Sequence, residues 1–320
     1  MKNYKWYIYI ALLGFVFSAC DKSDEYKDIV PESIDSVAVP EATYVSPLTK
    51  KIAEKSSLFN IFQEDTYTEV APGVNQTSIT YVNQSYKPMK VYILDADLSN
   101  TKLSIIALSP FNKMEYGKIQ VISEMAMANS SASSKVLAAF NGDFFKYYNP
   151  GGFIPQSIFI KNGVTLKAEG FNSAAFFGMY KDGTPIIGGR NNTNGKVRQV
   201  NLANVQEAVG GFHWLVEGFN KVIQGDPAIE PRTAVGYVGK KIFFVVVDGR
   251  SSNYSNGINF LDLADLMVAL GSDYAIGLDG GGSSTFVVKD AASDKWNVIN
   301  RPSGGQQRAV VNGLAVTISE

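Results

Sequence analysis

Two aspartates, each ending an apolar run and each followed by glycine, are the residues on which chemistry is most readily built. They are Asp248, in Asp248-Gly249-Arg250, and Asp279, in Asp279-Gly280-Gly281-Gly282-Ser283-Ser284. A third carboxylate, Asp143, closes Asn141-Gly142-Asp143 after the apolar run 136–140. Such carboxylates serve as nucleophile, base or acid, or ligate a cation. Three consecutive glycines let backbone N–H groups approach an anion closely. Taken alone, an Asp-Gly pair reads as an ordinary turn, and Asp143 alone reads as a solvated loop carboxylate before an acid, base or metal ligand. Two Asp-Gly turns at one sheet edge, one of them extended by Gly-Gly-Ser-Ser, favour a site. The single histidine, His213, has no nucleophile or metal-ligand partner in its neighbourhood and is expected to be structural.

The elements that position these residues follow from the apolar pattern. Residues 242–247 form an unbroken β-branched and aromatic run, expected as a strand buried on both faces. A helix follows, with Asn259 as its cap, Asp262 and Asp265 near its N-terminus, an apolar face of Leu263, Leu266, Met267 and Leu270, and Gly271 as its stop. A short strand, 274–278, then runs into Asp279. Strand, helix and strand make a βαβ unit, so both strands should run the same way and deliver Asp248 and Asp279 to one edge. Neighbouring strands would start the two carboxylates roughly 5 Å apart, and one intervening strand about 10 Å. Arg232 opens a strand, 232–238, that pairs with 241–247 through Gly239-Lys240, which brings Arg232 to the same edge.

Elsewhere hairpins dominate. Residues 157–160 and 164–167 flank Asn162-Gly163, and 174–180 and 185–187 flank Asp182-Gly183, while 214–216 leads into Glu217-Gly218. Runs 90–98 and 103–108 read as a further hairpin joined at Ser99-Asn100, and 119–128 reads as a helix. The expected fold class is α+β: a strand-rich mixed sheet with hairpins, the βαβ unit and packing helices.

Composition narrows the function classes. A chain of 320 residues with 45% hydrophobic content can bury one large core. The net charge of −1 offers no basic surplus for nucleic acid. Lys2 and Lys5 precede an apolar run, 6–19, that is short for a membrane span and suited to a signal peptide. The run ends in Phe17-Ser18-Ala19-Cys20, which resembles a lipobox, and Cys20 is the chain's only cysteine. The expected organisation is a lipoprotein signal peptide (1–20), a polar tether and N-terminal extension with a short helix near 48–62 (21–75), and the main domain (76–320). The lipid on Cys20 would hold the protein to the outer membrane of the cell envelope, and the acidic run 21–25 resembles a surface-export tag.

Placed in order, these pieces resemble the phosphodiester glycosidase family. The resemblance spans roughly 90–318. It rests on Asn141-Gly142-Asp143-Phe144-Phe145, Trp214-Leu215-Val216, Arg232-Thr233-Ala234-Val235-Gly236, Asp248-Gly249-Arg250 and Gly257-Ile258-Asn259. It continues through Leu278–Thr285, Asn300-Arg301-Pro302 and Arg308. The family's Pro-x-Gly is replaced by Pro155-Gln156-Ser157. The resemblance implies hydrolysis of a sugar–phosphate diester at the anomeric carbon, with Asp279 or Asp248 as nucleophile or base and Asp143 in a supporting acid/base or sugar-binding role. It implies a substrate- and phosphate-binding set of Arg232, Asn141, Gly280, Gly281, Gly282, Ser283, Ser284, Arg250, Arg301 and Arg308. No cofactor is required, although Asp248 and Asp279 would also suit a Ca²⁺ or Mg²⁺ ion. The expected partners are a phosphorylated carbohydrate and, through Cys20, a membrane. Two other classes compete: a surface glycan-binding lipoprotein without catalysis, and a metal-dependent phosphodiesterase, for which one histidine is a poor ligand supply.

Overall fold

Every strand pairing among the described residues is antiparallel, in three main sheets and one short ribbon. The largest sheet has the lateral order β1 (Ile61–Ala71), β2 (Val74–Val82), β3 (Pro88–Asp97), β17 (Lys241–Val247), β16 (Arg232–Val238), β18 (Tyr274–Gly277), β14 (Trp214–Glu217), β15 (Asn220–Lys221). A six-stranded sheet runs β12 (Val197–Arg198), β11 (Pro185–Arg190), β10 (Ala175–Tyr180), β13 (Val205–Gly210), β8 (Phe159–Lys161), β9 (Val164–Lys167). A five-stranded sheet runs β20 (Trp296–Val298), β19 (Phe286–Lys289), β5 (Ser134–Asn141), β21 (Gly313–Ser319), β4 (Leu103–Leu108). The ribbon pairs β6 (Phe145–Tyr148) with β7 (Gly152–Pro155). The computed structural model describes residues 42–320, apart from 171–173, 192–193 and 224–225. Cys20 and the expected signal peptide lie outside the described residues.

The three sheets share one apolar core. Phe140 of β5 stacks at 4.5 Å between centroids on Phe244 of β17, and at 4.5 Å on Phe286 of β19. Phe177 of β10 meets Phe244 edge-on. The apolar run of β17 therefore serves both its faces. Phe244 and Val246 turn to this core, while Phe243, Val245 and Val247 turn to a second one under the helices. That second core is closed by α1 (Pro47–Lys55) and α3 (Phe260–Ala269). Asn259 caps α3 by accepting the Asp262 N–H at 2.8 Å, and Gly271 (φ 85°) ends the segment in the left-handed conformation that favours glycine. A third helix, α2 (Ile122–Asn129), covers the five-stranded sheet.

Three expectations are corrected. Residues 90–98 and 103–108 do not form a hairpin: β3 pairs with β2 and β17, whereas β4 pairs with β21. The turn at Ser99-Asn100 carries the chain from one sheet to another, a choice that local alternation cannot reveal. Residues 42–75 are N-terminal extension rather than tether, and the expected short helix is there as α1. They supply α1, β1 and the start of β2, all within the compact unit 42–320. The strand β1 is polar on both faces because it is an edge strand lying mostly in solvent, so it lacks the apolar alternation that marks buried strands. The sheet is not mixed at the level of pairing. Both β17 and β18 are antiparallel to β16, which lies between them, so they run the same way without being neighbours.

Among the described residues no helix is long and apolar enough to cross a membrane.

Candidate active site

The end of β5 meets the end of β18 through two hydrogen bonds, and two more tie the same asparagine to the ends of β16 and β19. The Asp279 N–H donates to the Gly142 carbonyl at 2.9 Å, and Asn141 Nδ2 donates to the Asp279 carbonyl at 2.7 Å. Asn141 Oδ1 in turn accepts from Thr233 Oγ1 at 2.9 Å and from the Thr285 N–H at 3.0 Å. Asn141 is thus a fully buried clamp joining three strand ends and the triglycine loop. The sequence placed it among the substrate-binding residues; its amide instead fixes where the Asp279 backbone sits.

This clamp sets Asp279 and Asp143 side by side. Asp143 is buried, its N–H donating to Asn312 Oδ1 at 2.8 Å and its Oδ2 accepting the Ser157 N–H at 2.7 Å. Gly210 packs on Asp143 so closely that a Cβ there would collide with the carboxylate oxygen and with Ser157. The remaining oxygen, Asp143 Oδ1, and the neighbouring Asn312 Nδ2 are both buried without a protein partner. Burial pushes the Asp143 carboxyl up to about 8, against the pull of the Ser157 N–H, and the negative charge of Asp279 adds to the rise. Asp279 is only half-buried and accepts the Gly280 N–H at 2.9 Å. Burial raises it to about 6, held there by the Ser283 hydroxyl, the Gly280 N–H and the Arg308 charge. At neutral pH the pair is therefore split, with Asp143 protonated and Asp279 ionised.

The triglycine loop is a packing requirement as well as a flexible turn. A Cβ on Gly280 would lie 2.7 Å from the Pro231 carbonyl oxygen. Gly281 has φ 60°, and a Cβ there would stand 3.0 Å from the Arg250 guanidinium. A Cβ on Gly282 would overlap the guanidinium of Arg308. Two exposed cations thus lie flat against the loop that carries Asp279. Arg308 Nη1 lies 3.4 Å from Ser283 Oγ, and Arg250 pairs with Glu230 at 2.5 Å from a left-handed backbone (φ 60°) uncommon for a side-chain-bearing residue. Guanidiniums so placed suit a phosphate oxygen. Ser284 Oγ and Thr285 Oγ1 beside them are buried and unpartnered.

Asp248 and Arg232 border the same triglycine loop but are held by other partners. The Asp248 carboxylate accepts from Asn300 Nδ2 at 2.9 Å, from the Arg301 N–H at 2.8 Å and from the Tyr254 hydroxyl at 3.3 Å, and burial raises its pKa. Its two oxygens tie the loop after β17 to the segment at 300–301. Arg301 exposes its guanidinium 5.2 Å from the Tyr254 ring centroid. Arg232 reaches the expected edge, but its guanidinium turns inward over the Phe260 ring at 3.8 Å and donates to the Ala228 carbonyl at 2.8 Å. It stands 3.8 Å from Asp226, which also lies 3.8 Å from His213 Nε2. Among the described residues no group of three or more His, Cys, Asp or Glu side chains comes together in a metal-binding set.

Several participants carried no motif. Asn312 and Gly210 follow no recognisable signature, and Ser157 acts through its backbone. Phe144 and Phe212, 5.6 Å apart between ring centroids, form an aromatic wall beside Asp143. The adjacency of Phe144 to Asp143 was the one available hint.

Comparison with known proteins places this geometry in context. A sequence model described as phosphodiester glycosidase matches residues 134–317, more than half of the chain. The SPbeta prophage-derived protein YomE of Bacillus subtilis (strain 168) is 32% identical over 168 residues, covering 49% of this chain and 25% of its own length. The chain thus spans a quarter of that relative. The catalytic domain of zebrafish N-acetylglucosamine-1-phosphodiester alpha-N-acetylglucosaminidase, auto-inhibited by its pro-peptide, superposes with a TM-score of 0.57. That match has 20% identity and covers 81% of this chain and 89% of that one. A hypothetical protein from Synechocystis superposes with a TM-score of 0.57 at 11% identity, over 79% of this chain and 64% of its own. Both likenesses are of fold.

Proposed function

Because the chain belongs to the phosphodiester glycosidase family, we propose that it hydrolyses a sugar 1-phosphodiester at the anomeric carbon, releasing free sugar and a phosphomonoester. The observation that carries this reading is the split carboxyl pair beside a loop flanked by Arg250 and Arg308. In this reading the two guanidiniums hold the phosphate, and the ionised Asp279 faces the sugar. The bond between the anomeric carbon and the phosphate oxygen breaks, and the phosphate keeps the electron pair. A phosphomonoester leaves readily, so the chief demand is stabilisation of the positive charge that develops on the sugar. Asp279 meets that demand as nucleophile or as the base that takes a proton from water. The water oxygen ends on the anomeric carbon. Protonated Asp143 offers a hydrogen bond from its unpartnered Oδ1 side to a sugar hydroxyl or to the leaving oxygen. No step requires a metal.

The substrate we favour is a phosphorylated glycan of the cell envelope, reached from a lipid anchor at Cys20. The zebrafish protein's name specifies N-acetylglucosamine 1-phosphodiesters, so these head the assay panel. Hydrolysis in ¹⁸O-labelled water tests the reaction directly. Label is expected in the released sugar, whereas label in the phosphate, or no turnover across the panel, overturns the reading.

A further inference from the structure

At the opposite end of the sheets from Asp279 lies a cleft of about 470 Å³, a volume in the usual range for a small-ligand site. Strand β10 measures the separation. Ala175 accepts hydrogen bonds from Ser157 and Gly211 at the site end, and Tyr180 lines the cleft five residues on, roughly 17 Å away. An adjoining hollow of about 300 Å³ shares Tyr180 and Asp182, so the two form one elongated groove with the tyrosine at its junction.

The chemistry of its lining is specific. The floor is aliphatic, with Leu103 and Met179 buried beneath it. The rim is made of side chains that both donate and accept hydrogen bonds: Ser104, Asn162 and Gln206. Lys181 and Lys240 share the lining with Asp182 and Glu207, and Lys240 lies within electrostatic reach of Asp182, so the two signs are equal in number. One wall is fixed from behind. Lys161 Nζ donates to the Ala107 carbonyl and to Asn129 Oδ1, each at 2.8 Å. Glu207 accepts the Ala107 N–H at 3.0 Å and the Asn162 N–H at 3.1 Å. A lining locked in this way loses little freedom when a ligand arrives.

The backbone adds a further recognition element. Strand β4 is an edge strand, and both polar atoms of Ala107 face away from β21 toward Lys161 and Glu207. Antiparallel pairing alternates, so the N–H and C=O of Ile105, two residues back, face the same way, along the edge that lines the cleft. One such pair is too short a template for an added peptide strand, which needs a row of them. It suits the acetamido or hydroxyl groups of a sugar. An aliphatic floor, amide and hydroxyl rim groups, charges of both signs and a half-buried tyrosine at the groove's junction, its ring packed partly on the adjoining core, match a neutral saccharide with apolar C–H faces and hydroxyl edges.

From this lining we propose that the groove around Tyr180 is a second, non-catalytic binding site for a neutral oligosaccharide, at the far end of the sheets from the carboxyl pair. It would hold a glycan chain while another part of that chain is processed. This proposal does not depend on the hydrolytic reading, since it concerns binding alone.

The test uses the full chain carrying Asp279→Asn, so that turnover cannot consume the probe. Chitobiose, cellobiose and maltotriose are titrated by calorimetry and ligand-observed NMR. Saturable binding of at least one is expected, weakened at least tenfold by Tyr180→Ala and also by Gln206→Ala. Thermal melts of both variants should match the parent. In the otherwise wild-type chain, both should leave turnover of a small soluble phosphodiester unchanged. No saturable binding of any probe, binding that ignores both substitutions, or competition by extended peptides rather than sugars would overturn the proposal. Loss of binding together with a collapsed melt in Tyr180→Ala shifts the decision to Gln206→Ala, a change at a half-buried rim position outside the core.

Discussion

Asp248 and Asp279 share a local signature, an apolar strand running into Asp-Gly, and the fold gives them different work. Asp248 is surrounded by three donors from two segments, so its two oxygens hold protein to protein. Asp279 accepts from Gly280 and from the Ser283 hydroxyl, both of its own loop, and lies within electrostatic reach of Arg308 and Asp143. In the proposed reading, what separates a structural carboxylate from a chemical one is whether the donors around it come only from its own loop or also from distant segments. For Asp248 the donors are Tyr254, Asn300 and the Arg301 backbone, none of them adjacent to it in sequence.

The comparison is broken most decisively by making the same change at both positions. Asp279→Asn keeps size and turn preference but removes the negative charge, and turnover is expected to fall roughly 10²- to 10⁴-fold with little change in melting temperature. Asp248→Asn should do the reverse. It turns an amide N–H₂ toward donors that need an acceptor, at a cost of about 1–3 kcal/mol in stability, while turnover per folded molecule changes less. Equal losses of turnover with unchanged melts would erase the distinction.

Much of this was legible in the sequence, and the exceptions have physical causes. The apolar run 242–247, the Asn259 cap, the Gly271 stop and the hairpin turns are local signals, and the structure has them. The strand β1 was missed because an edge strand exposed on both faces needs no apolar alternation. The switch of the chain between sheets at Ser99-Asn100 was missed because a turn does not state which strand follows it. At the site, the carboxylates and the triglycine were visible, but their pairing was not. Asp143 rather than Asp248 joins Asp279 because Asn141 ties the end of β5 to the Asp279 backbone, a contact between residues 138 positions apart. Arg232 is at the expected edge, but its side chain is drawn inward over Phe260 at the start of α3, a contact between elements that no local pattern states.

The pH profile sharpens the comparison within the pair itself. Turnover should rise with pH through about 6, as Asp279 ionises, and fall above about 8, as Asp143 loses its proton. Asp143→Asn should remove the upper limb. Stability gives an independent reading. In the unfolded chain Asp143 returns to its ordinary value of 3.8, so between about 4 and 8 the folded protein keeps a proton that the unfolded one has released. The stabilising contribution of the protonated carboxyl is fully present below that window and is lost as pH rises through it. Denaturant midpoints should fall with pH across this range in wild type and more weakly in Asp143→Asn.

A smaller effect is expected at Arg308. Its guanidinium packs on Gly282 and reaches Ser283 while remaining exposed, so it is available to a ligand. Loss of one charge-assisted phosphate contact costs about 1.5–3 kcal/mol, or roughly 10- to 150-fold in kcat/KM. Because Arg308 also lowers Asp279, Arg308→Ala should move the acid limb of the pH profile upward. A loss of turnover with an unmoved limb would mean that Arg308 does not act beside Asp279.

The smallest effect on turnover belongs to Arg232, the cation that sequence alone would choose as the phosphate ligand. Its guanidinium is spent inside the protein, over Phe260, on the Ala228 carbonyl and near Asp226. Burial lowers its pKa, the expected direction for a cation withdrawn from water. Truncation removes the stacking contact and leaves the Ala228 carbonyl without this donor, so Arg232→Ala should lose about 1–3 kcal/mol of stability. Its Cδ also supports Gly280 at 3.5 Å from where a Cβ would stand, so some loosening of the triglycine loop should follow. Arg232→Ala is therefore expected to lower the melting temperature clearly and to change kcat/KM per folded molecule only a few-fold, with the pH limbs in place. A large loss of kcat/KM at an unchanged melting temperature would return Arg232 to the phosphate and make Arg250 and Arg308 secondary.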